Sequence, residues 1–248
     1  MSCYSYIRQI AIGQQRYLPH NWLAYYMVKP IAQRPDMVNQ VYHSIRDAIC
    51  EGHFLPGERL NQDQLAVRLD VSRQPVGQAI QLLKSQGFVN DTGRRGVEIA
   101  SLSTEQITGL YQIRAALDAL AARQAARNNA AAALEKGWPI IEKGRQYCRS
   151  GSIMEMIHTD MDFHRFIYRF SGNPAIERTV SPHWYHLIRI MGLVLQGNPP
   201  RQMIWDEHAA ILQAIGKNDA AGAEHLARQH GEKAAADLVA QAGAEKAL

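Results

Sequence analysis

Cysteine is scarce in this chain of 248 residues, which contains only Cys3, Cys50 and Cys148. Three cysteines so far apart predict no disulfide framework and no zinc site built from cysteine pairs, and they fit a reducing cytoplasm. Long apolar runs are also missing, because no stretch approaches the roughly 18 residues that a membrane-spanning helix requires. The sequence therefore predicts a cytoplasmic protein with no membrane partner.

Motifs typical of many enzymes are missing as well, since the sequence has neither a Gly-rich phosphate loop nor a nucleophile motif. β-Branched residues are sparse after residue 115, where alanine is abundant, so this half is predicted to be helical. The net charge is +4, with 11 basic and 8 acidic groups in residues 1–100 and 16 and 15 in the rest. The positive excess lies mostly in the N-terminal part, a pattern that favours nucleic acid as a partner.

Residues 1–35 are rich in aromatic side chains and show no clear helical or strand period. We predict a poorly ordered N-terminal extension for this segment, with Met27 or Met37 as an alternative start of the chain. An arm that packs on the rest of the protein is the other interpretation.

A pattern of short helices and a hairpin begins at residue 36. The first helix is predicted to start at Asp36, which can cap it, and to end at Gly52. Two shorter helices follow, one starting near Asn61 and one led by Ser72. The alternating segment FVNDTGRRGVEIA predicts a two-stranded hairpin with a basic tip. Together these elements predict a winged helix–turn–helix domain over residues 36–101.

The second short helix of such a domain can enter the major groove of DNA with its N-terminal end first. Its leading residues would then meet base edges and phosphates, and the arginines of the hairpin tip would reach the minor groove or the backbone. Double-stranded DNA is therefore the predicted partner, with a small helical domain that has no role in DNA binding as the alternative. The residues predicted to contact DNA are Arg46, Arg59, Ser72, Arg73, Gln74, Arg94 and Arg95.

The rest of the chain is predicted to be an all-α bundle of six helices over residues 102–241, followed by a tail at 242–248, so the fold class is mainly α. Glycine- and proline-containing segments separate most of these helices, and the segments are GSI, SGNP, GNPP and GKND. The predicted helices are 103–128, 131–149, 152–171, 174–196, 200–217 and 219–241.

Projection of the segment HTDMDFH on a helix separates its polar residues into two faces. Asp160 and His164 fall within the apolar stripe, whereas His158 and Asp162 fall on the opposite side and are predicted to be solvated. A carboxylate in an apolar position needs compensation for its lost hydration, which a hydrogen bond from histidine or a metal ion can supply.

Two further histidines are predicted to face the interior of the bundle. His208 lies at the centre of the apolar stripe of its helix, and His230 lies on a stripe of small residues, with His225 outside it. Three inward histidines and one carboxylate fit a divalent transition metal such as Zn, Ni or Mn. Hydrogen-bonded core histidines without a metal remain the alternative at this point.

Two stretches of the sequence carry a family resemblance. The stretch GHFLPGERLNQDQLAVRLDVSRQPVGQAIQLLKSQGFV resembles the N-terminal domain of GntR-type bacterial transcription regulators. The stretches DMDFHRFIYRFSGN and DEHAAILQAIGKNDAAGAEHLARQH resemble the metal-containing FCD branch of that family. The resemblance covers residues 38–241 and implies a homodimer that binds operator DNA. One departure is Gly77, where family members commonly have an arginine that touches the operator. The metal ligands that the resemblance implies are Asp160, His164, His208 and His230.

Arg114 shares the inward face of its helix with apolar side chains, and Asp118 lies one turn further on. The spacing alone is compatible with an internal salt bridge between the two. The resemblance implies instead that the arginine holds the carboxylate of a small organic-acid effector that also touches the metal, because a guanidinium binds a carboxylate in bidentate fashion. We therefore assign Arg114 and Asp118 to a predicted effector site.

The predicted function is a transcription regulator whose helical domain binds a metal and a carboxylate effector. The alternative from a different class is a metal-dependent hydrolase or lyase, in which three histidines and an open metal position activate water and Asp118 acts as the base. A third alternative is a DNA-binding protein with a degenerate sensor domain.

Overall fold

The computed structural model describes residues 36–93, 96–194 and 201–245. The predicted extension at 1–35 and the wing-tip residues Arg94 and Arg95 lie outside the described residues. Within the part that is described, no helix combines the length and the apolar character needed to cross a membrane.

The N-terminal part has the predicted winged helix–turn–helix architecture. Its elements are α1 (Met37–Cys50), α2 (Gln62–Arg68), α3 (Arg73–Ser85), β1 (Val89–Asp91) and β2 (Val97–Ile99). The strands pair in antiparallel fashion, with Val89 opposite Ile99. The apolar stripe of α1 is buried, including Val41, Ile45 and Ile49, because residues three to four apart share one face of a helix.

The start of each helix in the helix–turn–helix unit follows from its capping residue. The side chain of Asn61 accepts hydrogen bonds from the backbone N–H groups of Asp63 and Gln64, which satisfies two of the free donors at the start of α2. Ser72 precedes α3 in an extended conformation and makes no capping hydrogen bond with its side chain. The hydroxyl of Ser72 therefore stays available at the exposed start of α3.

The C-terminal part is all-α, as predicted. The long helix α4 packs against the next long helix and against the last two helices, and their facing side chains form the core. The elements are α4 (Thr104–Ser150), α5 (Ile153–Ser171), α6 (Pro174–Val180), a 3₁₀ turn (Ser181–His183), α7 (Trp184–Val194), α8 (Arg201–Gly216) and α9 (Ala220–Glu245).

The range of α4 contains the two helices predicted at 103–128 and 131–149, which meet at a kink at Asn129, where the backbone leaves the helical region. The helix boundaries differ from the prediction at two other places. The helix predicted at 174–196 is interrupted by the 3₁₀ turn at Pro182, because proline has no backbone N–H to donate within a helix. The last helix runs to Glu245 and so includes part of the predicted tail.

Helix α7 lies against the winged helix and joins the two parts of the molecule. The guanidinium of Arg46 stacks 3.4 Å from the centre of the Tyr185 ring. The ring of His186 stacks on Phe88 with 4.3 Å between centroids. Arg189, which is buried, donates a hydrogen bond to the backbone carbonyl of Ala100. We call these contacts of α7 the seam.

Candidate metal centre and DNA-contacting surface

The start of α3 is exposed, as a helix that reads the major groove requires. Ser72, Arg73 and Gln74 all lie at the surface. Arg73 Nε forms an ion pair with Asp63 Oδ1 at 2.5 Å across the helix–turn–helix. Arg59 is also exposed and pairs through its backbone with Glu98 of the wing strand β2. These four predicted side chains are thus presented to solvent.

Arg46 departs from the prediction that it contacts DNA. Its side chain is only 7% exposed and lies in the seam, where it stacks on Tyr185 and forms an ion pair with Asp47 at 2.7 Å. A guanidinium held in this way is not presented to a DNA phosphate. We therefore assign Arg46 to the contact between the two parts of the molecule. Arg46 lies on a face of α1 that carries both polar and apolar residues. Nothing in the sequence there indicates that Tyr185 of α7 is its partner.

The predicted metal ligands come together in the helical part. Asp160 and His164 lie on α5, His208 on α8 and His230 on α9, and all four are buried. Each offers one ligand atom, and these atoms lie within 4.8 Å of one another. His158 and His225 are exposed, so the predicted inward and outward directions are confirmed.

The distances between the ligand atoms fit a single ion. His208 Nε2 lies 3.2 Å from His230 Nε2 and 3.4 Å from Asp160 Oδ1. Nitrogen ligands lie about 2.0–2.1 Å from zinc, so two of them on one tetrahedral ion are separated by roughly 3.4 Å. His164 Nε2 is 3.7 Å from Asp160 Oδ2. Three imidazole nitrogens and a carboxylate oxygen are therefore close enough together that they could hold one divalent transition metal ion.

The ring of His164 is oriented by Asp118. His164 Nδ1 lies 3.2 Å from Asp118 Oδ2, and the Tyr168 hydroxyl donates to Asp118 Oδ1 at 2.5 Å. Burial alone would raise the pKa of Asp118, but His164 and Arg114 outweigh it and lower that pKa to about 2. A carboxylate on Nδ1 leaves the Nε2 lone pair directed at the centre, the usual arrangement of a metal-binding histidine.

His230 is oriented in the same manner by a residue that sequence reasoning missed. His230 Nδ1 lies 2.7 Å from Glu207 Oε2, and Lys233 in turn pairs with Glu207. Burial would raise the pKa of Glu207, but its bonds to His230 and Lys233 outweigh that effect and lower it. Glu207 and His230 lie on different helices, so their contact depends on helix packing that a single-helix projection does not supply. Tyr168 was missed for the same reason.

His208 has no such partner on its Nδ1 atom among the described residues. Its ring stacks on Phe163 at 4.2 Å and meets the edge of Trp205 at 5.0 Å between centroids. Burial, followed by the nearby His230, lowers the pKa of His208 well below its usual range. The ring is therefore neutral at pH 7, the form in which imidazole binds a metal.

Arg114 reaches into the same centre from α4. Its Nη2 atom donates to Asp160 Oδ2 at 3.2 Å and contacts His164 Nε2, and its Nε atom lies 3.5 Å from Asp118 Oδ2. Burial would lower its pKa, but the carboxylates of Asp160 and Asp118 help to raise it above its usual value. The structure thus contains the salt bridge to Asp118 and, in addition, contacts with two of the predicted metal ligands.

A small cavity of about 20 Å³, with room for about one water molecule, lies next to the centre. Asp160 is the polar residue of its wall, and the rest of the wall is apolar. One of the apolar residues, Met191, belongs to α7, so the cavity touches both the ligand cluster and the helix of the seam. The lining residues are Met156, Ile157, Asp160, Met191, Ile204 and Trp205.

Comparison with known proteins assigns both parts of the chain. Residues 37–99 match the family described as bacterial regulatory proteins, gntR family, and residues 109–233 match the FCD domain. The HTH-type transcriptional regulator YdhC of Bacillus subtilis (strain 168) is 29% identical over 197 residues, which cover 77% of this chain and 84% of that protein. The Nta operon transcriptional regulator of Aminobacter aminovorans is 34% identical over 133 residues, or 52% of this chain and 60% of that protein.

A solved structure has the same fold. Escherichia coli McbR/YncC matches with a TM-score of 0.70 and 20% identity over 86% of this chain and 100% of that chain. The regulator relatives and the two matched domains set aside the alternative of a metal-dependent hydrolase or lyase. The chain belongs to the GntR family of bacterial transcription regulators, in the group that carries an FCD domain, and is a DNA-binding regulator rather than an enzyme.

Proposed function

We propose that this regulator is a cytoplasmic homodimer whose FCD domain binds a divalent transition metal together with a small organic acid, and that this binding alters its affinity for operator DNA. The metal would be Zn, Ni or Mn. The observation that carries the proposal is the convergence of one imidazole nitrogen from each of three buried histidines and a carboxylate oxygen within 4.8 Å of one another. The metal ligands in this proposal are Asp160, His164, His208 and His230.

The chemistry of the ligand atoms supports a metal over a set of core histidines. Asp118 and Glu207 hold the Nδ1 atoms of His164 and His230, so both Nε2 lone pairs point to one place. A core histidine needs no such convergence, whereas a metal site requires it. A bound divalent ion would supply a Lewis-acidic position for one oxygen of an organic acid.

Arg114 would provide the second grip on the acid. It is buried beside the ligand cluster, and a guanidinium can bind a carboxylate through two parallel hydrogen bonds. Asp118 belongs to this site through its contacts with Arg114 and His164, and its role in the proposal is to position both side chains.

The DNA-contacting surface in the proposal is the exposed start of α3 with the wing. Ser72, Arg73 and Gln74 would read the major groove, Arg59 would contact the backbone, and Arg94 and Arg95 would extend the surface at the wing tip. A homodimer presents two such surfaces to the half-sites of a palindromic operator. An effector changes operator affinity only if it binds one arrangement of these surfaces better than another.

Metal content of the purified protein tests the proposal. We expect wild-type protein to contain one equivalent of divalent metal per chain, and His208→Ala to lose the metal together with thermal stability, because a ligand bound to the folded state stabilises it by mass action. His225→Ala is the matched control, since this exposed histidine lies on the same helix as His230, and it should keep the metal.

A thermal-shift screen of small carboxylates, run with and without chelator, then tests the effector. Stabilisation by a carboxylate that disappears with chelator supports the proposal. Wild-type protein that takes up no Zn, Ni or Mn would contradict it and would favour a regulator with a degenerate sensor domain. Loss of metal in His225→Ala with retention in His208→Ala would show that the assigned ligands are wrong.

A further inference from the structure

Arg114 makes its contacts with the same atoms that the proposed metal requires. Its Nη2 atom donates to Asp160 Oδ2 at 3.2 Å and contacts His164 Nε2. His164 Nδ1 lies 3.2 Å from Asp118 Oδ2, an acceptor that favours the tautomer with the proton on Nδ1 and the lone pair on Nε2. In the structure that lone pair accepts a hydrogen bond from Arg114 Nη2. One lone pair cannot bind a guanidinium and a metal ion at the same time.

We propose that Arg114 competes with the metal for His164 and Asp160, so that metal binding displaces the guanidinium and makes it available to a carboxylate. The inference rests on the proposed function, because it concerns the same four ligands. It adds an order of events in which the metal comes first and the acid second.

The surroundings of Arg114 support a displaced position within the same site. The side chain is buried with only 3% exposure, so a released guanidinium stays inside the protein. Its Nε atom lies 3.5 Å from Asp118 Oδ2, which can hold the charge after the bonds to Asp160 and His164 are broken. The Nη atoms would then lack their acceptors, and a buried guanidinium without acceptors is costly. A carboxylate at that place would supply two acceptors in the geometry that guanidinium prefers.

Displacement of Arg114 would also make acid binding depend on the metal. While Arg114 is bonded to Asp160 and His164, the N–H donors of its guanidinium are occupied. An incoming acid would also be repelled by the negative charge of Asp160. After displacement the guanidinium donors of Arg114 would be free, and the metal bound to Asp160 would neutralise the charge of that carboxylate. The competition therefore couples the two ligands without a change of fold.

Metal affinity and the rate of metal binding test the proposal in the full-length protein. Arg114→Met keeps most of the side-chain volume but removes the competing donor. We expect Arg114→Met to bind Zn²⁺ and Ni²⁺ about ten- to a hundredfold more tightly than wild type, in titrations against a chromophoric chelator, which corresponds to the loss of one or two charge-assisted hydrogen bonds. Arg127→Met, an exposed arginine on the same helix α4, is the matched control and should bind as wild type does.

Stopped-flow measurement separates direct competition from a remote effect of charge. Trp205 packs against His208 and can report Ni²⁺ binding by its fluorescence. In wild type and in Arg127→Met we expect the observed rate to reach a plateau at high Ni²⁺ concentration, because release of the guanidinium becomes limiting. In Arg114→Met the rate should rise linearly with Ni²⁺ over the same range.

Each of the other outcomes overturns the inference in an identifiable way. Equal or weaker metal affinity in Arg114→Met shows that the guanidinium does not compete. Tighter binding in Arg114→Met with linear rates in wild type shows that Arg114 acts only as a distant positive charge. Both results leave the proposed metal site standing, whereas absence of metal binding in wild type and in every variant contradicts the proposed function itself.

Discussion

Asp118 is the residue whose role changes most between the sequence and the structure. Its spacing of one turn from Arg114 is compatible with a salt bridge, and the family resemblance places both residues in a predicted effector site. In the structure it also accepts from Tyr168 and lies against His164 Nδ1. These partners come from α5, and a projection of α4 alone gives no information about them. The direction of a side chain is predictable from helical period, but its partner depends on how two helices pack.

We expect Asp118→Asn to destabilise the protein by roughly 3 kcal/mol, because the change removes one member of a buried ionic cluster and leaves Arg114 less compensated. Urea denaturation in the presence of chelator measures this effect apart from metal binding. Asp162→Asn is the control, since Asp162 is exposed on the opposite face of α5, and it should cost less than about 0.5 kcal/mol. Equal stability of the two variants would show that Asp118 carries no buried charge.

The pH dependence of stability gives a second measurement on the same variants. The pKa of Asp118 is lowered from 3.8 to about 2 in the folded protein. The carboxylate therefore stabilises the folded state fully above pH 4, and this contribution is lost as the pH falls towards 2. Asp118→Asn should lack this part of the acid-induced loss of stability, whereas Asp162→Asn should retain it.

Helix α3, the proposed recognition helix, carries a half-buried glycine at position 77. A Cβ atom added at Gly77 would meet only Gln62 Oε1, at an ordinary 3.7 Å. No close packing therefore requires glycine there. The family resemblance implies that an arginine at this position touches the operator.

Gly77→Arg should stabilise α3 by up to about 1 kcal/mol, because glycine is a poor helix former. It should also strengthen binding to duplex DNA and steepen the dependence of log affinity on log salt by about 0.9, the value for one additional phosphate contact. Gly77→Ala provides the comparison, with the same gain in stability and no change in salt dependence. Identical salt dependence in the two variants would place residue 77 away from the DNA backbone.

Helix α7 is the element that the sequence described least well. An apolar helical period continues through residues 174–196, so the sequence predicts one helix there and not the break at Pro182. The structure turns this segment at Pro182 and directs Tyr185, His186 and Arg189 at the winged helix. The short helices and the hairpin of the N-terminal part were predictable because each has its own cap or turn residues. The seam was not predictable, because no cap or turn residue on either side of it indicates the contact.

The molecule as a whole is joined at this seam, and Arg46 provides a test of its importance. Arg46→Met should leave the salt dependence of DNA binding unchanged, because the side chain is buried against Tyr185 rather than exposed. It should lower stability by about 0.5–2 kcal/mol, the range for a cation–π contact. Arg59→Met should instead leave stability nearly unchanged. It should make the slope of log DNA affinity against log salt less steep by about 0.9.

Thermal unfolding and fluorescence anisotropy at several salt concentrations measure the two effects on the same samples. A flatter salt dependence in Arg46→Met would return this residue to the DNA-contacting surface and would contradict the seam as described.

The net charge of the side chains in the buried centre limits the charge of an acid that could bind there. One guanidinium, that of Arg114, faces two carboxylates, those of Asp118 and Asp160, so these side chains together carry one negative charge. The three histidines add none in their neutral form. A divalent ion would reverse the sign and leave one positive charge in a place with little water. A monoanion restores neutrality there, whereas each further ionised carboxylate would bury an uncompensated charge. We therefore expect the proposed effector to present a single negative charge to this centre.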